Sequence, residues 1–172
     1  MTGRNLTTEE GEALYAVGGG LKEKIHVFQE LDVSEMAVVE GLLKTRNFGP
    51  NETIYREGEK GDSLNVIMKG KAKINKTMVE GGQFCIAILK EGDIFGIMSF
   101  LDGSSHDATI VSDQQTQLIV LKKPDFENLF LTSPLIAGKI LRGLAVHLAS
   151  ILRNMNSQYI DLTHLMFRKS RC

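Results

Sequence analysis

The chain has 172 residues, 24% of them charged and 42% hydrophobic, with a formal net charge of −1. That is enough chain for one domain with its own core, and the near-neutral balance excludes a bulk attraction to nucleic acid or to a membrane surface. The N-terminal residues lack the apolar stretch of a secretory leader, and no run of about eighteen apolar residues reads as a membrane helix, so a cytoplasmic location is expected.

Residues 1–20 read as a flexible extension. Leu14 and Val17 allow one or two amphipathic turns, which Gly18-Gly19-Gly20 then breaks. The folded domain is expected over 21–157. It opens with Leu21, Ile25, Phe28, Leu31, Met36, Val39, Leu42 and Leu43 at helical spacing, interrupted near Asp32, so two helical segments precede the strands, with Ser34 as N-cap of the second.

From Arg46 to Lys122 the pattern changes to short apolar runs, at 52–55, 64–68, 72–74, 84–89, 108–111 and 118–121, separated by glycine and charged turns. The turns recur at roughly 8–12 residues, the spacing of an all-β sandwich or barrel, and no helix-length segment separates the strands as a parallel crossover would require. Gly58, Gly61, Gly70 and Gly92 fall where the chain must reverse, which calls for backbone at positive φ. Cys85, inside an apolar run, reads as core, and Cys172 as a frayed end; their spacing makes neither a disulfide framework nor a metal-ligand pair.

After Leu121 the helical period returns. Pro124 suits a first turn, with Phe126, Leu129 and Phe130 on one face. Ser133-Pro134 then signals a second start, followed by Ile136, Ile140, Leu144, Leu148, Ile151, Leu152 and Met155, a long amphipathic helix over about 134–157. Residues 158–172 are expected as a short tail, its basic end solvated.

Taken in order, Phe48-Gly49-Pro50, Ile54-Tyr55-Arg56-Glu57-Gly58, Gly61-Asp62-Ser63-Leu64, Lys69-Gly70, Gly92-Asp93-Ile94-Phe95-Gly96 and Asp107-Ala108-Thr109-Ile110 resemble the cyclic-nucleotide-binding domain family over roughly residues 28–157. The resemblance implies an α+β fold: an antiparallel, jelly-roll-like β-roll (a double-stranded β-helix) flanked by N-terminal helices and a long C-terminal helix. It also implies a sensor or regulatory module in signal transduction.

In the family a short cassette, opening Phe-Gly-Glu and closing with Arg, a small residue and Ala-Thr, binds the nucleotide. Backbone N–H groups of a short helix receive the phosphate, the glutamate accepts from the ribose hydroxyl and the arginine neutralises the phosphate. The candidate ligand residues here are Gly96, Ile97, Met98, Ser99, His106, Asp107, Ala108 and Thr109, with N–H donors expected from about Met98 to Phe100. Ile97 stands at the glutamate's place, His106 at the arginine's and Asp107 at the small residue's. Two charge-assisted hydrogen bonds are thereby lost, about 1.5–3 kcal/mol each or roughly two to four powers of ten in affinity. His106 reads either as a partial substitute cation or as a surface histidine paired with Asp107, and Ile97 either as filling of a collapsed pocket or as an apolar contact.

The ligand so implied is cyclic AMP, cyclic GMP or another small anion. The long helix implies a homodimer through Ile140, Leu144, Leu148, Ile151 and Met155, with Ile151 and Leu152 capping the pocket. The family's transcription factors continue into a winged helix-turn-helix, for which 156–172 are too few, so neither sequence-specific DNA binding nor a membrane role is expected. No phosphate loop, HExxH or GxSxG is present, and His26, His106, His147 and His164 are scattered, which argues against an enzyme. Two other readings stay open: a ligand-free dimeric module that engages another protein, and a haem-based gas sensor using His147.

Overall fold

The computed structural model describes residues 25–78 and 81–168; the N-terminal extension and the terminal Cys172 lie outside them. The first described element is a single 3-10 turn, His26–Phe28, which buries Val27 and Phe28. Helix α1 follows, Val33–Glu40. Its N-cap is Asp32 and not Ser34: the Asp32 carboxylate accepts the Glu35 N–H while the Glu35 carboxylate accepts the Asp32 N–H, each at 2.8 Å. This capping box satisfies two donors at once, and Ser34 only adds its hydroxyl to the same Asp32 carboxylate. The helix stops at Gly41, so Leu42 and Leu43 lie in the connection to the first strand instead of extending the helix.

Among the described residues eight strands come next: β1 (Lys44–Phe48), β2 (Thr53–Tyr55), β3 (Ser63–Lys69), β4 (Ala72–Thr77), β5 (Gln83–Leu89), β6 (Ile94–Phe95), β7 (Thr109–Ser112) and β8 (Thr116–Lys122). They form two antiparallel four-stranded sheets, ordered β1-β8-β3-β6 and β2-β7-β4-β5, the expected β-roll. In the first sheet β3 and β8 pair Leu64 with Leu121 and Val66 with Ile119. Those residues and Met68 face the helices, whereas Ile67, Leu118 and Val120 face the second sheet, packed with Phe48, Ile54, Phe95 and Ile110. Burial on both faces is why 64–68 and 118–121 read as continuous apolar runs without alternation.

β1 and β6 were not expected. β1 buries only Phe48 and otherwise carries exposed or half-buried polar side chains, and β6 is two residues long. β5 corrects the reading of Cys85. Among the described residues the strand pairs with β4 alone, at the edge of its sheet, and no layer covers it, so Cys85 is exposed together with Phe84, Ile86 and Ile88.

Helix α2 (Ile97–Asp102) interrupts the strands, and α3 (Lys123–Thr132) follows them with Pro124 in its first turn. The last helix, α4 (Pro134–Arg168), runs 35 residues, through much of the segment expected as a tail. Ile136, Ala137, Ile140 and Leu144 are buried in the core under the first sheet. The Lys139 ammonium meets the Glu35 carboxylate at 2.6 Å and Arg142 meets Glu30 at 2.9 Å, tying α4 to the N-terminal elements. Ile140 and Leu144 are therefore not a dimer face. An 18-residue window of α4 reaches a mean hydropathy of 1.6, apolar enough by length and composition to cross a membrane, but the first three turns of the helix fill the core of the domain.

Candidate functional site

The site is assembled where β6 turns into α2. Gly96 makes that turn at φ 78°, and a Cβ there would stand 2.7 Å from the Ser63 carbonyl oxygen, so only glycine fits. α2 spans six residues and ends on a second left-handed glycine, Gly103. Of the expected donors, the Phe100 N–H is already bonded to the Gly96 carbonyl at 3.0 Å. Ile97 and Phe100 point into the core.

His106 is neither at the surface nor paired with Asp107. Its ring is buried, stacked on Tyr55 with centroids 3.6 Å apart and planes 8° from parallel, and its Nδ1 lies 3.1 Å from the Ser99 hydroxyl. Ser99 also donates to the Gly96 carbonyl at 3.2 Å. The backbone on either side is stitched to the β2–β3 loop: Gly58 N–H donates to the His106 carbonyl and His106 N–H to the Glu59 carbonyl, both at 2.8 Å. Burial holds the imidazole below its ordinary pKa, outweighing Glu59, Asp62 and Asp107, so the ring is neutral at physiological pH. Burial also pushes the Tyr55 hydroxyl up.

Gly61 permits this arrangement. Unlike Gly58, Gly70 and Gly92 it does not take positive φ; it is glycine for space, because a Cβ would overlap the Ser99 hydroxyl and stand 2.8 Å from His106 Cε1.

Around these groups lies a cavity of about 320 Å³. Gly96, Ile97, Met98, Ser99, His106, Asp107 and Ala108 line it, so that stretch of candidates is brought together, and the pocket has not collapsed around Ile97. Thr109 does not line it; its hydroxyl accepts the Glu57 N–H at 3.0 Å. From α4, Ile151 lines the cavity and Leu152 does not, being 58% exposed. The wall residues missed in the sequence are Tyr55, Ile74, Leu89, Ile94, Phe95, Ser105 and Ile110, and Leu148, read there only as a dimer residue. Tyr55 had one signal, an aromatic alternating with Ile54; the others are placed by topology. His147 is outside the lining, and among the described residues no cluster of His, Cys, Asp and Glu is arranged to hold a metal ion.

Among the described residues the lining contains no lysine or arginine. Lys76, on β4, reaches this region but is engaged: its ammonium donates to the Asp107 carbonyl oxygen and pairs with the Glu57 carboxylate at 2.7 Å. That pairing, with Thr77, holds the Glu57 carboxyl down at about 2.

Residues 45–133 match the model of the cyclic nucleotide-binding domain. The chain is 28% identical over 145 residues to the cyclic AMP receptor protein of Thermus thermophilus, covering 84% of this chain and 64% of that one. It is 24% identical over 134 residues to the cAMP-dependent protein kinase regulatory subunit of Mycosarcoma maydis, covering 75% of this chain and 25% of the relative. In both cases it spans less than two thirds of the relative's length. A solved cyclic nucleotide-binding domain from Methylobacillus flagellatus has the same fold, with a TM-score of 0.76 at 23% identity over 87% of this chain and 84% of that one.

Proposed function

The chain belongs to the cyclic nucleotide-binding domain family, and on that premise we propose that it is a non-enzymatic, cytoplasmic regulatory module whose cavity controls the placement of α4. One observation carries the reading: the cavity is walled by α2 and the 105–108 loop on one side and by Leu148 and Ile151 of α4 on the other. An occupant therefore touches the helix directly, and it shifts the helix to the extent that it binds one placement better than another.

Relatives named for cyclic AMP make cyclic AMP and cyclic GMP the ligands to test first. Their binding is weak, because Ile97 offers no acceptor to a ribose and a neutral, stacked His106 offers no charge to a phosphate. The output is a second copy or another protein. The apolar side chains of α4 beyond the core, Leu152, Met155 and Tyr159 among them, are exposed and support a homodimer along the distal half of the helix. The same stripe supports the alternative of a ligand-free dimeric interaction module. A haem sensor is disfavoured, since His147 stands outside the cavity.

Calorimetric titration of cyclic AMP and cyclic GMP into the native chain, and into the triple variant Ile97→Glu, His106→Arg, Asp107→Ser, tests the ligand reading. Tight binding by the native chain overturns the argument from the altered contacts. Sedimentation of a Met155→Glu variant tests the dimer, which is expected to dissociate.

A further inference from the structure

We infer that the cavity between α2 and α4 takes an uncharged, mostly apolar small molecule in place of a cyclic nucleotide, an inference that rests on the reading of this cavity as the ligand site. Phe95, Ile97, Ile110, Leu148 and Ile151 supply its apolar wall. Among the described residues no lysine or arginine stands on the lining, so nothing there supplies a cation to an anionic ligand. A phosphate monoanion placed against this apolar wall would be desolvated without a cation beside it, a cost its remaining hydrogen bonds do not offset.

The groups that could change sides are engaged elsewhere. Lys76 is held outside by the Glu57 carboxylate and the Asp107 carbonyl. His106 is pinned on one ring face by Tyr55 and at Nδ1 by Ser99, so it fills its place as a neutral wall. The space is open all the same. At about 320 Å³ the cavity is at the small end of ordinary ligand sites, which begin at roughly 300 Å³. Filling an apolar wall removes its surface from water, which favours a ligand that carries no charge of its own.

The test is a fluorescence titration of the full chain with N-phenyl-naphthylamine, an uncharged probe that brightens in apolar surroundings; the chain has no tryptophan to interfere. Three variants locate the probe. Ile151→Glu and Met98→Glu place a carboxylate on opposite walls at positions 40% and 61% exposed, where the fold tolerates it, and Leu152→Glu places one next door, off the lining. Saturable one-to-one binding is expected, weakened about tenfold or more by either wall variant, unchanged by Leu152→Glu and unaffected by cyclic AMP at a concentration equal to the probe's. Equal effects of all three variants would overturn the inference, since the probe would then be adsorbed on the exposed helix. Displacement by cyclic AMP would overturn the ligand class and leave the cavity as the ligand site. Absence of saturable binding by both the probe and the cyclic nucleotides would overturn both readings together.

Discussion

Two glycines five residues apart on α4 carry opposite predictions for one substitution. Replacing a helical glycine with alanine gains about 1 kcal/mol from reduced freedom of the unfolded chain and better helix propensity. At Gly138 nothing lies within 4 Å of the added Cβ, so Gly138→Ala is expected to keep that gain. At Gly143 the Cβ would overlap the Val27 carbonyl and stand 2.8 Å from Val27 Cα, and what must yield is the backbone of the 3-10 turn, not a flexible side chain. Overpacking typically costs about 1–3 kcal/mol, and contact with backbone puts this site at the upper end. The net for Gly143→Ala is a loss of about 1–2 kcal/mol against a gain of about 1 kcal/mol for Gly138→Ala. For a chain of this length 1 kcal/mol moves the melting temperature by about 2–4 °C, so the two variants should differ by roughly 4–12 °C. Calorimetric melting of the full chain measures this. A Gly143→Ala protein as stable as Gly138→Ala would refute the claim that α4 is docked against Val27.

Other expectations come from the same packing. Leu144, fully buried, should cost about 2–5 kcal/mol when changed to alanine; a denaturant midpoint that hardly moves would contradict its place in the core. Gly61→Ala should destabilise by about 1–3 kcal/mol and displace the His106 ring from Tyr55, visible as a loss of the ring-current shifts of the imidazole protons; an unchanged spectrum would refute the space argument. His106 and His147 both have pKa values lowered by burial. The unfolded chain therefore binds protons first as pH falls, so their contribution to stability is complete above about pH 6.5 and is lost as pH drops below it. Urea midpoints at pH 7.5 and 5.5 should fall accordingly, and less steeply in His106→Asn; a flat profile between those values would contradict the buried, neutral assignment.

Much of the fold was legible locally. The runs at 64–68 and 118–121, the glycine reversals at Gly58, Gly70 and Gly92, and the Ser133-Pro134 start of α4 are properties of short segments, because period and turn chemistry act within a few residues. The same locality explains the errors. β1 is invisible because its one buried residue, Phe48, leaves no pattern, and Ser34 reads as a cap because serine and aspartate suit that place equally, the choice falling to Asp32 through its reciprocal bonds with Glu35.

For the site, residue identity alone supplies the chemistry on offer: the contiguous 96–99 and 106–108 stretches, with an isoleucine and a histidine at the places of a glutamate and an arginine. What those residues do follows from packing that joins distant parts of the chain. Whether an apolar strand such as β5 is core or exposed edge depends on which layer covers it. Whether Leu144 faces a second copy or its own domain depends on where α1 and the 3-10 turn dock. Whether His106 is a cation or a neutral wall depends on Tyr55, 51 residues away in the chain, being stacked against it. Burial and charge state are set by neighbours that chain closure brings from afar, and no local pattern encodes them.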